Sequence, residues 1–541
     1  MTKRVDLKLR IYPFIVGISP VLILFASNLG EVKFSEVGRS FLIALVLTAL
    51  FVLISWLLFR NIHKASLLTS VIMVSILAYG HMYDGLKEVE WLAAFVRHRV
   101  LLALDALFIL GLAWLLWKRI KNVGVLETFF TWFSIFLLIF PLYRIADYYL
   151  LSNARATNTG EASQSSPVVT QSETKPDIYY IILDGYGRQD ILKELYGFDN
   201  SGFVDELGQL GFYVAPEATS NYSQTLLSLG ASTNFQYVDD TLFTIDPKSD
   251  DRRELIERIH HSRIRQVLAE NGYQFVAFDN GFDTSVEDAD IYYEHRGSQT
   301  QEQSIFLSMN SFESLLFEQT ILRPLIATGV INQEIMKDTI NARYVRHAGK
   351  ILFTFEKLVE VPEMDGDYFV FVHILAPHPP FVFGKNGEFI SHTKAYILGD
   401  ALEFANTENG TLEEYIQGYT GQMTYINSIV LRTVKTILAE SETPPIIIIQ
   451  GDHGPGAYLD WNSRENTNVR ERFSILNAYY FAGRELESTS LYPSISPVNT
   501  FRVVLNDFFG SDLKLLPDKS YFSRYFQPYQ FYDVTDDAHG K

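Results

Sequence analysis

Hydrophobic positions along the chain follow two regimes that meet near residue 151. Before that point, apolar residues run almost unbroken over 11–29, 40–59, 65–83, 100–117 and 128–145. Each run is close to the ~20 residues a helix needs to cross the hydrocarbon of a bilayer. Five runs predict five membrane helices and put the two ends of the chain on opposite sides. Tyr12, Pro13 and Pro20 interrupt the first run, and four more follow it, so it reads as a retained helix and not as a cleaved signal.

After the break the pattern changes. Short β-branched and aromatic stretches at 178–183, 273–279, 367–375, 446–450 and 474–481 alternate with helix-period segments at 252–271, 343–360 and 411–440. Such alternation predicts an α/β domain with a largely parallel central sheet, whose ligands gather at the carboxyl ends of the strands. Between the regimes, residues 152–176 are rich in Ser, Thr and Asn and nearly free of large apolar side chains, so they cannot repay the entropy of joining a core. The expected organisation is a transmembrane domain over 1–151, a linker over 152–176 and an extracytoplasmic catalytic domain over 177–541.

Charge orients this scheme. Lys3, Arg4, Lys8, Arg10, Arg60, Lys64, Lys118, Arg119 and Lys121 all fall on one side under alternating topology, which makes that side the cytoplasm. The reading is a multi-pass protein of a bacterial-type inner (plasma) membrane, with its N-terminus cytoplasmic and everything after the fifth span outside. Residues 1–151 carry a net +6 against a whole-chain −18, leaving −24 on the remainder. So acidic a domain is unsuited to nucleic acid or to a broad electrostatic hold on anionic headgroups. The 541-residue chain has no cysteine, which excludes disulfides, thiolate ligands and a cysteine nucleophile.

Four blocks carry chemistry. The buried-strand pattern of PDIYYIILDGYGR ends in Asp184, and PPIIIIQGDHG ends in Asp452 and His453. Polar groups directly after an apolar strand need partners, and a metal ion supplies one. In SNYSQTLLSLGAS, Thr225 stands at the start of a helix-like stretch, where free backbone N–H groups can hold an anionic oxygen. Taken alone it reads as a helix cap. In HILAPHPPFVF, His378 follows a strand and is flanked by prolines that stiffen its loop.

These blocks, in this order, resemble the alkaline phosphatase/sulfatase superfamily, and among its members the membrane-bound lipoteichoic acid synthases and phosphoethanolamine transferases, which also have five membrane helices before an exported domain. The resemblance implies that Asp184, Thr225, Asp452 and His453 hold one divalent metal ion (Zn, Mn or Mg) and that Thr225 is the catalytic nucleophile. It implies a serine three residues on, Ser228, and a pair of histidines five apart, His373 and His378. His378 is expected to move a proton or bind the substrate, with His373, Asn221 and Arg472 as further substrate contacts.

Two departures stand out. The transferases have Glu where this chain has Asp184, and they carry a histidine shortly after Asp-His-Gly where this chain has GPGAYLDWNSRENTNVRERF. Arg464, Arg470 or Arg472 is expected to take over that anion contact. The implied activity is transfer of a phospho-substituent, phosphoethanolamine- or glycerophosphate-like, from a membrane lipid to an envelope acceptor such as a glycan. The alternative is a sulfatase-like hydrolase of phosphate or sulfate esters. A formylglycine sulfatase is disfavoured, because Thr225-Leu-Leu-Ser-Leu lacks the convertible residue and the arginine of that motif. In the fourth span, Asp105 is expected to reach the outer interface or pair with Arg99 or Arg144.

Overall fold

The computed structural model describes residues 10–29, 32, 34–87, 89, 95–151, 175–239, 245–297, 310–328, 333–393, 396, 398–400, 410–481, 484 and 488–540. Nearly all of the linker read over 152–176 lies outside the described residues. The chain divides into two compact units, 1–162 with 303–343 and 392–397, and the remainder.

In the first unit every apolar run forms a helix: Tyr12–Ser27, Phe34–Phe59, Ile62–Leu77 continued by Tyr79–Lys87, His98–Lys118, and Gly124–Ala146. Among the described residues three helices are long and apolar enough to cross a membrane, not the five expected, and Ile62–Leu77 with Tyr79–Lys87, bent by 57°, makes a fourth if counted as one span. The first helix has 16 residues, about 24 Å of rise against ~30 Å of hydrocarbon. Pro13 sets its start, and at its end Asn28 turns back to donate its side-chain amide to the Leu24 carbonyl at 2.7 Å. Asp105 accepts from Ser75 Oγ at 2.8 Å, which is a neighbour across helices and not either of the expected arginines.

The exported domain read as 177–541 loses part of its sequence to this unit. The helix Ser311–Gln319 packs Phe312 into a cluster with Val21, Leu24, Phe25 and Leu29, and Arg39 pairs with Glu313 through two nitrogens. Further along, the Ile321 N–H donates to the Ile76 carbonyl at 2.8 Å.

The second unit is built on a seven-stranded sheet: β1 (Ile178–Leu183), β2 (Tyr213–Val214), β3 (Gln274–Phe278), β4 (Ile291–Tyr293), β5 (Tyr368–Ile374), β6 (Ile446–Gln450) and β7 (Asn477–Phe481). The spatial order is β2-β7-β6-β1-β5-β3-β4. β1 is parallel to β5 on one side and β6 on the other, β3 is parallel to β5 and β4, and β7 alone is reversed, pairing antiparallel with β6 and with the edge strand β2. The largely parallel α/β fold expected from the pattern is the fold observed.

All six residues of β1 are buried, as a strand covered on both faces requires. Ile178, Tyr180 and Ile182 share a core with Leu226, Leu227, Leu255, Ile264, Val498 and Phe501. Burial of each such side chain contributes about 1.5–3 kcal/mol. The segment expected as one helix over 252–271 is two, Arg253–His260 and Arg263–Glu270, because Ser262 adopts an extended conformation at ψ 149° between them. Helix Leu412–Glu440 opens with a Thr411–Glu414 capping box, and a separate hairpin, β8 (Tyr521–Arg524) and β9 (Gln527–Asp533), lies near the C-terminus.

Candidate functional site

β1, β5 and β6 are adjacent and parallel, so the residues just past their carboxyl ends converge on one edge of the sheet. Asp184 comes directly after β1, His378 stands four residues after β5, and Asp452 and His453 lie just beyond β6. Thr225 is the first residue of the helix Thr225–Ser232, preceded by Gln224 in an extended conformation. Asp184, Asp452 and His453 each offer one ligand atom within 4.8 Å of the other two, all buried. Thr225 Oγ1 lies 3.1 Å from His453 Nε2, and Thr225 remains partly exposed.

Each of these groups has one atom committed and one left over. His453 Nδ1 hydrogen-bonds the Gly454 carbonyl at 2.9 Å, which makes Nδ1 the protonated nitrogen and leaves the Nε2 lone pair facing inward. Asp452 Oδ1 accepts from the Gly185 N–H at 3.0 Å, while Asp452 Oδ2 and Asp184 Oδ1 are buried without a hydrogen-bond partner among the described residues. Uncompensated carboxylate oxygens in a dry site cost several kcal/mol. His453 Nε2 lies 3.3 Å from Asp452 Oδ2 and 3.6 Å from Asp184 Oδ1. An ion with four tetrahedral bonds near 2.0–2.1 Å sets its ligands about 3.3 Å apart. The two carboxylates, the imidazole and the threonine oxygen therefore fit a divalent ion.

Electrostatics agree with the geometry. Burial opposes the charge on Asp184, but the nearby His378 ring and the His373 N–H outweigh it and hold the carboxyl well below the ordinary range. Burial and the nearby Arg472 guanidinium depress the pKa of His453, keeping it a neutral ligand. Burial likewise opposes protonation of His378, yet the Asp184 and Asp400 carboxylates prevail and raise it. His378 Nδ1 is held by the Pro379 carbonyl at 2.5 Å, so Nε2, 3.7 Å from Asp400 Oδ2, is its working nitrogen. The His378 and His453 rings are 6.2 Å apart between centroids.

The remaining expected contacts lie elsewhere in the architecture. Asn221 is fully buried; its amide donates to Tyr237, Ser496 and the Lys519 carbonyl, which uses both of its protons, and its oxygen accepts from the Val498 N–H. The buried Arg472 guanidinium bonds Asp400 Oδ2 at 2.6 Å and the carbonyls of Ser223 and Gly454. It braces the site from behind instead of replacing the late histidine. Arg470 pairs with Glu194, and Arg464 lies beside Glu465, both at exposed positions. His373 is buried, with Nε2 3.3 Å from Asp184 Oδ2.

Sequence reasoning missed Asp400, which lies in an irregular stretch between β5 and Leu412–Glu440 and joins His378 to Arg472. It also missed Gln422, whose side chain clamps the proline-rich loop by accepting from the Val382 N–H at 2.8 Å and donating to the Pro377 and His378 carbonyls. A glutamine one turn from Tyr419 on a long amphipathic helix carries no local signal of that role.

No protein-family model matches the chain, and no curated protein matches it. Solved structures do. The C-terminal periplasmic domain of EcEptC from Escherichia coli, in complex with Zn, aligns at 10% identity over 69% of this chain and 98% of that one, with a TM-score of 0.41. The integral membrane protein lipooligosaccharide phosphoethanolamine transferase A from Neisseria meningitidis aligns at 10% identity over 92% of this chain and 95% of that one, with a TM-score of 0.38. A protein in the alkaline phosphatase superfamily from Vibrio parahaemolyticus aligns at 13% identity over 69% of this chain and 81% of that one, with a TM-score of 0.36. Phosphoethanolamine transferases and an alkaline phosphatase superfamily protein are thus among the solved structures that this chain is similar to.

Proposed function

We propose that this chain is a membrane-anchored, metal-dependent transferase that moves a phospho-substituent from a membrane lipid to an envelope acceptor by way of a covalent Thr225 intermediate. The observation that carries the reading is the approach of Thr225 Oγ1 to within 3.1 Å of His453 Nε2, beside two orphaned carboxylate oxygens. A plain helix cap has no use for that company. Apolar helices long enough to cross a bilayer support a lipid donor, because a soluble substrate calls for no anchor. The reading puts the catalytic unit outside a bacterial-type plasma membrane.

Asp184 Oδ1, Asp452 Oδ2, His453 Nε2 and Thr225 Oγ1 would hold the ion, with a spacing that suits tetrahedral zinc better than octahedral magnesium, whose neighbouring ligands stand only about 2.9 Å apart. Such an ion lowers the pKa of the threonine hydroxyl and neutralises charge on the ester oxygens. Thr225, its hydroxyl proton already lost to solvent, would attack phosphorus in line as the alkoxide and form the Thr–O–P bond as the bond to the lipid oxygen breaks. His378, whose pKa the Asp184 and Asp400 carboxylates raise, gives its Nε2 proton to the departing oxygen. Free N–H groups at the start of Thr225–Ser232 steady the phosphoryl oxygens. The acceptor hydroxyl then returns its proton to His378 and takes the phospho-group from Thr225.

The test is the mass of the Thr225 peptide from protein purified out of its own membranes, beside Thr225→Ala. An adduct present only in the unmutated protein is expected, and its mass identifies the transferred group. An unmodified peptide together with undiminished activity of Thr225→Ala overturns the reading. A bare-phosphate adduct released to water turns it into a hydrolase.

A further inference from the structure

Asp184 needs one oxygen aimed at the metal position, and nothing in its own backbone fixes which. Its carboxylate Oδ2 stands 3.3 Å from His373 Nε2, a buried nitrogen that makes no well-aligned hydrogen bond elsewhere, and the His373 side chain is only 1% exposed. An imidazole can hold that oxygen only if Nε2 carries the proton. Whether it does is decided on the far side of the ring.

There, Thr284 Oγ1 lies 2.7 Å from His373 Nδ1. Asn280 Nδ2 donates to Thr284 Oγ1 at 2.8 Å and to the His373 carbonyl at 3.0 Å, and it lies 3.2 Å from His373 Nδ1 itself. The orientation of the Asn280 amide is fixed, since its oxygen accepts from the Phe282 N–H at 2.9 Å and from Ser285 Oγ at 2.7 Å. Asn280 Nδ2 is therefore the donor, Thr284 Oγ1 receives that bond, and the one proton of Thr284 is left for His373 Nδ1. A ring that accepts at Nδ1 carries its proton at Nε2. The loop itself is anchored, because Asp279 accepts from Lys350 Nζ at 2.6 Å in a buried pair.

The geometry assigns Asn280, Thr284 and His373 as a one-way donor relay that fixes Asp184 Oδ2 and so presents Oδ1 to the metal position; His373 is a positioning residue, not a ligand or a substrate contact. The inference rests on the proposed metal site and deepens it. An aspartate reaches one methylene less far than a glutamate, so a donor behind it that sets its rotation matters more. Removing the outer partner of a metal ligand weakens the metal by about 10–100-fold.

The experiment is zinc affinity of the full-length protein in detergent after metal stripping, by competition with a chromogenic chelator, for unmutated protein, Thr284→Val, Thr284→Ser, His373→Phe and Asp452→Asn. Thr284→Val is nearly isosteric and removes the 2.7 Å donor to Nδ1, leaving only the longer 3.2 Å approach of Asn280 Nδ2, so it keeps the fold while weakening the relay. We expect affinity at least about tenfold weaker in Thr284→Val and His373→Phe, and restored in Thr284→Ser, with thermal midpoints of the stripped proteins within a few degrees. Equal affinity in all but Asp452→Asn, with a raised KM for His373→Phe, overturns the relay and makes His373 a substrate contact. If the unmutated protein binds no zinc above Asp452→Asn, the metal-site reading itself fails, which is a separate result.

Discussion

Ser228 donates its hydroxyl proton to the carbonyl oxygen of Asp452 across 2.6 Å. One bond thereby ties the helix that begins at Thr225 to the strand end that carries Asp452 and His453. Ser228 lies one turn along that helix from Thr225, and both ends of the bond are buried. Ser228→Ala leaves a buried carbonyl without its partner, at about 1–3 kcal/mol. We expect a fall of roughly 2–6 °C in the thermal midpoint, and a turnover loss of about tenfold or more from a displaced nucleophile. Calorimetry and steady-state kinetics on the same preparation separate the two; an unchanged kcat means that the helix holds its place without this bond.

Metal removal tests the orphaned oxygens directly. Chelation should abolish turnover and lower the thermal midpoint, since a ligand bound only by the folded state stabilises by RT ln(1 + [L]/Kd). Zinc at one ion per chain should restore both. Magnesium should restore little, because the separations of 3.1, 3.3 and 3.6 Å around His453 Nε2 are wide for octahedral neighbours. Full recovery with magnesium, or the same midpoint shift in Asp452→Asn, contradicts the ligand set.

Much of the site is legible in the sequence, and the reason is physical. Continuous apolar strands such as Ile178–Leu183 and Ile446–Gln450 can be buried on both faces only in a parallel sheet, so the polar residues at their carboxyl ends must meet at one edge. That argument places Asp184, Asp452 and His453. It cannot place Asp400, Asn280 or Thr284, which reach the site from irregular segments where no periodicity says what they face. Asn221 and Arg472 show the converse. Their sequence neighbours are the candidate site residues, but their side chains are spent on Val498, Lys519, Asp400 and Ser223. The break between His260 and Arg263 is equally invisible, because the hydrophobic period continues across it while the backbone does not.

The glycines around Asp452-His453 are steric requirements. A Cβ on Gly454 would stand 2.0 Å from the Glu471 carbonyl oxygen and 2.9 Å from that of Ser474, both backbone atoms that cannot swing away. Gly454→Ala should push His453 off its position. Since the Gly454 carbonyl also holds His453 Nδ1, the variant is expected to lose metal as well as stability, by more than about 2 kcal/mol. Metal content and denaturant midpoint together check this; a variant with normal metal content shows that the turn adapts.

Asp177 governs a pH effect remote from the chemistry. Burial pushes its carboxyl up to about 6, against a bond from the Tyr368 N–H and with Asp367 adding to the rise. The folded chain thus holds a proton that the unfolded chain releases near pH 4. Asp177 is neutral to stability below that pH and increasingly unfavourable as pH climbs to about 6, where its cost levels off. Asp177→Asn keeps the acceptor for Tyr368 and removes the charge. After allowance for partial exposure, a gain on the order of 1 kcal/mol is expected at pH 7.5 and almost none at pH 4. Equal gains at both pH values rule out the titration of Asp177 as the source.

The pair Arg39–Glu313 lies within the first unit, where a segment from the C-terminal half of the sequence packs on the apolar helices. Glu313 does two things at once. It takes both nitrogens of Arg39, and it closes the capping box that starts Ser311–Gln319 by accepting from the Asn310 N–H at 2.8 Å. Its side chain is 9% exposed and that of Arg39 34%, so removing the arginine strands a charge that water barely reaches. Arg39→Ala should therefore loosen 310–328 more than Glu313→Gln, which keeps the cap and leaves the cation partly solvated. The double variant should be no worse than Arg39→Ala alone, a coupling of at least about 1 kcal/mol. Hydrogen exchange of peptides from 310–328 in the detergent-solubilised full chain measures it. Additive single effects would show that Phe312 in its apolar cluster, not the ion pair, holds this segment in place.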